Sequence, residues 1–268
     1  MNVHLKVIGQ PVNRVDGPRK VTGTARYAAE FDLPDMVHGA MVLSSIPSGT
    51  IASIDAEAAR RAPGVYAVIS HENAPRLPYK PQAQKPQVDA QSGEQLHVFQ
   101  DPKIYFNGQP IAVVVAETLE QALHAADLVR VTYEETEGLT RFERARGREP
   151  QRGNQKKGRP GDTEIGDADA AFEKAPVRVE AEYIQPREHQ NAIELHVTIA
   201  AWDGDHLTLY DKTQWPDNDR DEIAHVFGMP KENIRVVSPF VGGAFGSALR
   251  TWPHVTVAAL AAKAVQRP

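Results

Sequence analysis

The chain has 268 residues, 41% of them hydrophobic and 24% charged, with a formal net charge of −5; that suits one large or two ordinary soluble domains and supplies no basic face of the kind nucleic-acid binding needs. It holds no cysteine, which removes disulfides, thiolate zinc sites and cysteine-ligated iron–sulfur clusters, so any such cluster would sit on a partner. No apolar run approaches the roughly 20 residues of a membrane span, and the opening Met1-Asn2-Val3-His4-Leu5-Lys6 lacks the apolar stretch of a secretory signal.

Residues 1–20 are polar, with Pro11, Gly17 and Pro18, and read as an irregular lead-in. Residues 38–45 (HGAMVLSS) read as a strand of small residues, and 51–54 as a short apolar segment. A helix is expected over 55–62, with Asp55 as N-cap, three alanines inside and Pro63-Gly64 as the stop. Residues 65–69 (VYAVI) form the next strand. Residues 73–98 hold four prolines and many glutamines and read as a long excursion. The run 111–116 (IAVVVA) is continuously apolar, as a strand buried on both faces is. A helix from Glu117-Thr118 through Val129 follows, with Leu119, Ala122, Leu123, Ala126 and Val129 on one expected apolar face. Residues 130–133 (RVTY) close an α/β domain over 21–134 in which helices pack against a sheet.

Residues 135–168 are charged, glycine-rich and short of large apolar side chains, so they read as a linker, with the cationic run 151–159 solvated. A mixed α+β second domain over 169–268 is expected next. It opens with a short helix at 167–172, and the alternation of 177–183 (VRVEAEY) predicts a half-buried strand. Strands are expected over 193–202 and 206–211, joined by a turn at Asp203-Gly204-Asp205. A helix at 219–227, a strand at 234–238, a glycine-rich loop and an alanine-rich helix at 254–265 complete the order. The ten histidines are scattered; His189 and His196, seven apart in strand-like sequence, make a poor metal pair and read as structural.

The chemistry lies in Gly242-Gly243-Ala244-Phe245-Gly246. Strand, glycine loop, helix is an arrangement in which backbone N–H groups converge on an anionic ligand, and glycines allow close approach and positive φ. The loop lacks the GK[ST] ending of a P-loop and is not the GxGxxG dinucleotide fingerprint. Taken alone, it fits a structural turn as well as a ligand site. Upstream stands Lys212-Thr213-Gln214-Trp215-Pro216, just after a strand.

The ordered motifs resemble the molybdenum-cofactor subunit of the molybdenum hydroxylases, the xanthine dehydrogenase and aldehyde oxidase family. The resemblance runs through residues 14–27 (RVDGPRKVTGTARY), 62–65 (APGV), 105–112 (YFNGQPIA), Glu194-Leu195-His196, 202–205 (WDGD), Thr213-Gln214 and the glycine loop, and covers nearly the whole chain. It implies an α/β hammerhead domain followed by the start of a molybdopterin-binding domain. It also implies that the loop lies against molybdopterin and the metal's oxo group, chiefly through the N–H groups of Phe245 and Gly246, with Gln214 approaching the oxo ligand. An amide suits that place, since it donates hydrogen bonds without a titrating charge. The implied activity is hydroxylation of an aldehyde or an N-heterocycle with water as oxygen source. The implied cofactor is molybdenum–molybdopterin, with the cytosine dinucleotide as one admissible form, and [2Fe–2S] and FAD on partner subunits of a cytoplasmic complex, or a periplasmic one co-exported with a partner.

Two departures qualify the expectation. The family loop usually reads GGGFGGK, whereas Ala244, Ser247 and Ala248 stand here; a Cβ at Ala244 requires a negative φ. The family subunit also continues for several hundred residues beyond the segment matching Gln266-Arg267-Pro268 and there supplies its general-base glutamate. No catalytic residue is therefore assigned in this chain: Glu188 and Glu194 read as strand residues or ion-pair partners, and a chain carrying the rest of the molybdenum domain is expected as a partner. The alternative is a non-catalytic scaffold or degenerate chain of the same family. Phe245 could pack under the loop, Trp215 could wall a substrate channel or a core, and Arg250 reads as a surface arginine.

Overall fold

A computed structural model describes residues 7–79, 96–141 and 165–268; the cationic run 151–159 and most of the 73–98 excursion lie outside the described residues. Two compact units are present, one of Met1–Glu137 with Gln190–Pro268 and one of Gly138–His189.

The first unit holds three three-stranded sheets among the described residues. β1 (His38–Leu43), β5 (Pro110–Ala116) and β3 (Val65–Ser70) form the first, with β5 central and antiparallel to both neighbours. Every residue of β5 is buried. The pleat explains why: Val114 faces Ala56, Ala59 and Ala125 on one side, while Val113 and Val115 face Val257, Leu260 and Ala261 on the other. The expected doubly buried strand is thus present, with antiparallel partners on both sides. β4 (Lys103–Ile104), β2 (Gly49–Asp55) and β6 (Arg130–Glu135) make a second antiparallel sheet.

Local signals set the helices of this half. α1 (Gly17–Val21) crosses the end of the expected irregular lead-in, started by the proline at its first turn. In α2 (Glu57–Arg61), β2 runs on through Asp55, so the helix starts later than the sequence suggests; Asp55 Oδ1 still accepts the Glu57 N–H at 3.1 Å. α3 (Leu119–Leu128) opens with a capping box: Thr118 Oγ1 accepts the Gln121 N–H at 3.3 Å and Gln121 Oε1 accepts the Thr118 N–H at 3.1 Å. The Gln121 side chain fills the space beside Gly64, where a Cβ would collide with it and where φ is +78°.

The expected apolar face of α3 is displaced. Ala122, Ala125 and Val129 are buried, whereas Leu119 and Leu123 are 47% and 53% exposed. Alanines let the helix axis lie close to β1 and β5, and the bulkier leucines turn to the flank.

The third sheet carries β7 (Thr198–Asp203), β8 (His206–Asp211) and β9 (Ile234–Val237), with β7 antiparallel and β9 parallel to β8. Gly204, at φ +59°, begins the two-residue β7–β8 loop. The strand expected over 193–202 begins only at Thr198. α5 (Pro216–Phe227) starts three residues before the expected 219, because Pro216 suits a first helical turn, and it ends on Gly228 in the left-handed region.

α6 (Pro253–Val265) is buried on two sides. Val255, Ala259 and Ala262 pack into the core of the third sheet, and Val257, Leu260 and Ala261 into the core under β5 and β3. Trp202 Nε1 donates to Ala259 O at 2.8 Å. Just past the helix, Arg267 reaches Glu117 at 3.1 Å and Pro268 O accepts the Val37 N–H at 2.8 Å.

In the second unit, α4 (Ala168–Lys174) has the expected Asp167 cap, whose side chain accepts the Ala170 N–H at 2.9 Å. The strand expected over 177–183 does not form: its residues are exposed and outside any described sheet, because alternation alone supplies no partner for the ladder.

The revised face of α3 makes a stability prediction. Ala125→Leu should cost about 1–3 kcal/mol by overpacking, while Leu123→Lys should stay within about 0.5 kcal/mol, both read by chemical denaturation. The reverse order would restore the face expected from the sequence.

Candidate functional site

Parallel strands β8 and β9 end at the same edge, and the two segments singled out in the sequence leave from those ends, where ligand crevices form in parallel sheets. They are tied together by backbone. The Gln214 N–H donates to Ala248 O at 2.9 Å. Ser238 Oγ donates to Thr213 O at 3.2 Å and accepts the Thr213 N–H at 3.3 Å. Gln214 itself is exposed and Trp215 half-buried.

The loop mixes positive and negative φ. Gly243, Phe245 and Gly246 have φ of +95°, +53° and +93°, while Ala244 is not among the positive-φ residues. Its Cβ is therefore unstrained, and the side chain is buried. Gly246 is required by conformation, since nothing lies within 4 Å of an added Cβ. Gly242 is required by space: a Cβ there would stand 2.8 Å from Glu194 Cβ. Phe245 is 74% exposed, so it does not pack under the loop.

Ser247 closes the loop, its N–H and hydroxyl both donating to Ala244 O at 2.8 and 2.7 Å, and Trp252 Nε1 donates to Ser247 O at 2.5 Å. Among the described residues, the N–H groups of Gly243, Ala244, Phe245 and Gly246 have no hydrogen-bond partner. Four adjacent free donors on a turn with positive-φ residues form a cradle for anionic or oxygen-rich groups. The donor set fits a phosphate- and oxo-bearing cofactor, and it includes the N–H groups of Phe245 and Gly246. Arg250 is exposed.

Behind the loop lies a polar core the sequence did not signal. Asp211, Lys212, Thr213, Asn218, Asp219 and Thr256 are all buried. Thr251 Oγ1 donates to Asp219 Oδ1 at 2.6 Å and accepts from Asn218 Nδ2 at 3.1 Å. Asp219 Oδ2 and His254 Nε2 are buried without a hydrogen bond, and His254 Nε2 stands 3.7 Å from Asp211 Oδ1. Burial, then the Asp211 carboxylate, push Asp219 up to about 7. His196 packs edge-on to His254 at 5.7 Å, and desolvation, then Lys212, hold it below the usual histidine range. The run Asp211-Lys212-Thr213 resembles a solvated strand end in sequence, so only its burial identifies it.

Glu194 departs from its expected role. It lies before β7 and holds the loop: its Oε2 accepts the Gly242 N–H at 2.5 Å, and its own N–H donates to Gly242 O at 3.4 Å. Glu188 is exposed and outside any strand. A separate, mainly apolar cavity of about 350 Å³ between the first sheet and α6, lined by Met41, Val113, Val257 and His254 among others, includes neither Gln214 nor any loop residue.

Known proteins carry the same pattern. Residues 22–137 match the aldehyde oxidase and xanthine dehydrogenase a/b hammerhead domain, and residues 149–268 the molybdopterin cofactor-binding domain. The chain belongs to the aldehyde oxidase and xanthine dehydrogenase family. It is 40% identical, over 98% of its length, to the aldehyde oxidoreductase molybdenum-binding subunit PaoC of Escherichia coli (strain K12), and 31% identical, over 93%, to the nicotinate dehydrogenase large molybdopterin subunit of Eubacterium barkeri. It spans 34% of the first relative and 57% of the second. The reconstituted CO dehydrogenase from Oligotropha carboxidovorans superposes with a TM-score of 0.74 at 27% identity, covering 96% of this chain and 34% of that one. A hammerhead domain followed by a molybdopterin-binding domain is therefore the fold of this family member. No helix among the described residues is long and apolar enough to cross a membrane.

The raised pKa of Asp219 predicts a pH dependence. Between about pH 4 and about pH 7 the folded state keeps a proton that the unfolded chain has released, so stability falls as pH rises through that window and levels above it. Asp219→Asn should remove that slope in thermal melts across the window; an unchanged slope would show that Asp219 ionises normally.

Proposed function

We propose that this chain forms one side of a molybdenum–molybdopterin site in an oxidoreductase that hydroxylates aldehydes or N-heterocycles with oxygen from water. The observation that carries the reading is the set of four unpartnered amides at Gly243, Ala244, Phe245 and Gly246, held beside Gln214 at the ends of two parallel strands. In this reading Gln214, Gly242, Gly243, Ala244, Phe245 and Gly246 line the cofactor. Gly242 serves by the space it leaves, since Glu194 already takes its N–H. When bound, the cofactor supplies the two-electron redox chemistry and the activation of water.

The chain's own residues bind and orient. The loop amides are fixed donors that need no reorganisation, and Gln214 donates without carrying a charge. No general base is assigned among the described residues; a glutamate from another segment or chain fills that role. Aldehydes are the preferred substrates, in keeping with the name of the Escherichia coli relative. An iron–sulfur subunit and an FAD subunit would carry electrons onward, and the cytosine dinucleotide form of the cofactor and a cytoplasmic location, or a periplasmic one by co-export, belong to the same proposal. So does a division into a hammerhead domain over 21–134, a linker over 135–168 and a partial molybdopterin-binding domain over 169–268.

The departures in the loop do not favour the scaffold alternative. Ala244 takes a permitted φ, Ser247 closes the turn, and Ala248 O anchors Gln214. The test is elemental analysis of the protein purified with its co-expressed partners. Molybdenum should co-purify, and Gly246→Val, which strains the left-handed position, should lower its content by about tenfold with little change in thermal midpoint. Gln214→Ala should lower aldehyde turnover by about 100-fold. Protein free of molybdenum would sink the reading.

A further inference from the structure

We propose that Glu194 is the positioning residue of the glycine loop, a clamp at its root that keeps the four following amides free for the cofactor; the role toward the cofactor rests on the function proposed above. The geometry joins three segments distant in sequence. Glu194 Oε2 accepts the Gly242 N–H at 2.5 Å, and Gly242 O accepts the Glu194 N–H at 3.4 Å, so the two residues bind reciprocally. The absence of a Cβ at Gly242 is what lets the glutamate lie against the loop: that atom would stand 2.8 Å from Glu194 Cβ and 3.2 Å from Oε2. Glu194 is held in turn by Lys212, whose Nζ donates to Glu194 O at 2.5 Å. Lys212 is only 2% exposed, and a buried ammonium is tolerated only where its donors are engaged. It stands directly after β8, so the clamp is anchored to the sheet that also carries Gln214.

The need for a clamp follows from the loop. Four successive N–H groups without partners invite rearrangement, because a backbone that can turn inward to satisfy its own donors will do so. A charge-assisted bond at the first loop residue, stronger than a neutral one, opposes that rearrangement at its hinge. Glu194 Oε1 is buried and unpartnered, so the carboxylate spends its one bond on the loop. Glu194 touches no reacting atom in this arrangement; it acts through Gly242.

The experiment compares Glu194→Ala, Glu194→Asp and Glu194→Gln in the full chain. Exchange of the Gly242 amide proton, followed by NMR, should quicken by about tenfold or more in the Ala and Asp variants, the second being too short to reach, and stay within about threefold in Gln, which keeps an acceptor oxygen. Molybdenum content of protein purified with its partners should follow the same order. The Asp and Gln variants carry the comparison where Ala does not fold. Unchanged Gly242 exchange in Asp, or quickened exchange with full molybdenum content, overturns the proposal. A wild-type protein without molybdenum overturns instead the function proposed above, and the exchange order still decides whether Glu194 clamps the loop.

Discussion

Everything near the site hangs on the burial of α6 from two sides. A helix normally has one apolar stripe and one wet face. Here Val255, Ala259 and Ala262 complete one core while Val257, Leu260 and Ala261 complete another. Five of those six side chains are alanine or valine on adjacent faces, which lets two sheets approach a single helix closely. Residues 247–252 join the loop to the first turn of this helix, so the packing that fixes α6 also limits where the loop must end. Trp252 and Ser247 bridge the short interval between them.

Against that rigid wall, the loop itself is strained and unsatisfied. Phe245 sits in the left-handed region, which a bulky residue rarely adopts, and keeps its ring in solvent. A ring that covers no core and a backbone with four idle donors make little sense as architecture. They make sense where a ligand supplies the missing contacts, and strain of this kind is typical of binding sites. The polar core behind the loop completes the picture. Lys212 and Glu194 hold the loop's root, and Asp219, whose carboxyl pKa is raised by burial, accepts the Thr251 hydroxyl, which in turn accepts from Asn218.

Much of the fold was legible in the residue pattern. The run 111–116 announced a strand covered on both faces, Glu117-Thr118 the start of α3, and Asp203-Gly204-Asp205 the turn between β7 and β8. The misses share one cause. Leu119 and Leu123 fit a helical stripe, and 177–183 fits a strand, but periodicity says only that one face differs from the other. Which face is covered depends on what lies across from it.

The site divides in the same way. Sequence by itself determined the family's motif order, the loop with its glycines, the amide at Gln214 and the lack of any cysteine for a redox cluster, since these are properties of residue types at given spacings. Tertiary structure alone decided that Gln214 is pinned to Ala248, that Glu194 clamps Gly242 instead of lying in a strand, and that Asp211-Lys212-Thr213 is buried. Those contacts join residues 34 (248 − 214) and 48 (242 − 194) positions apart in sequence. Short-range preferences carry no information about such meetings; hydrogen bonding and burial settle them only once the sheets and α6 have closed.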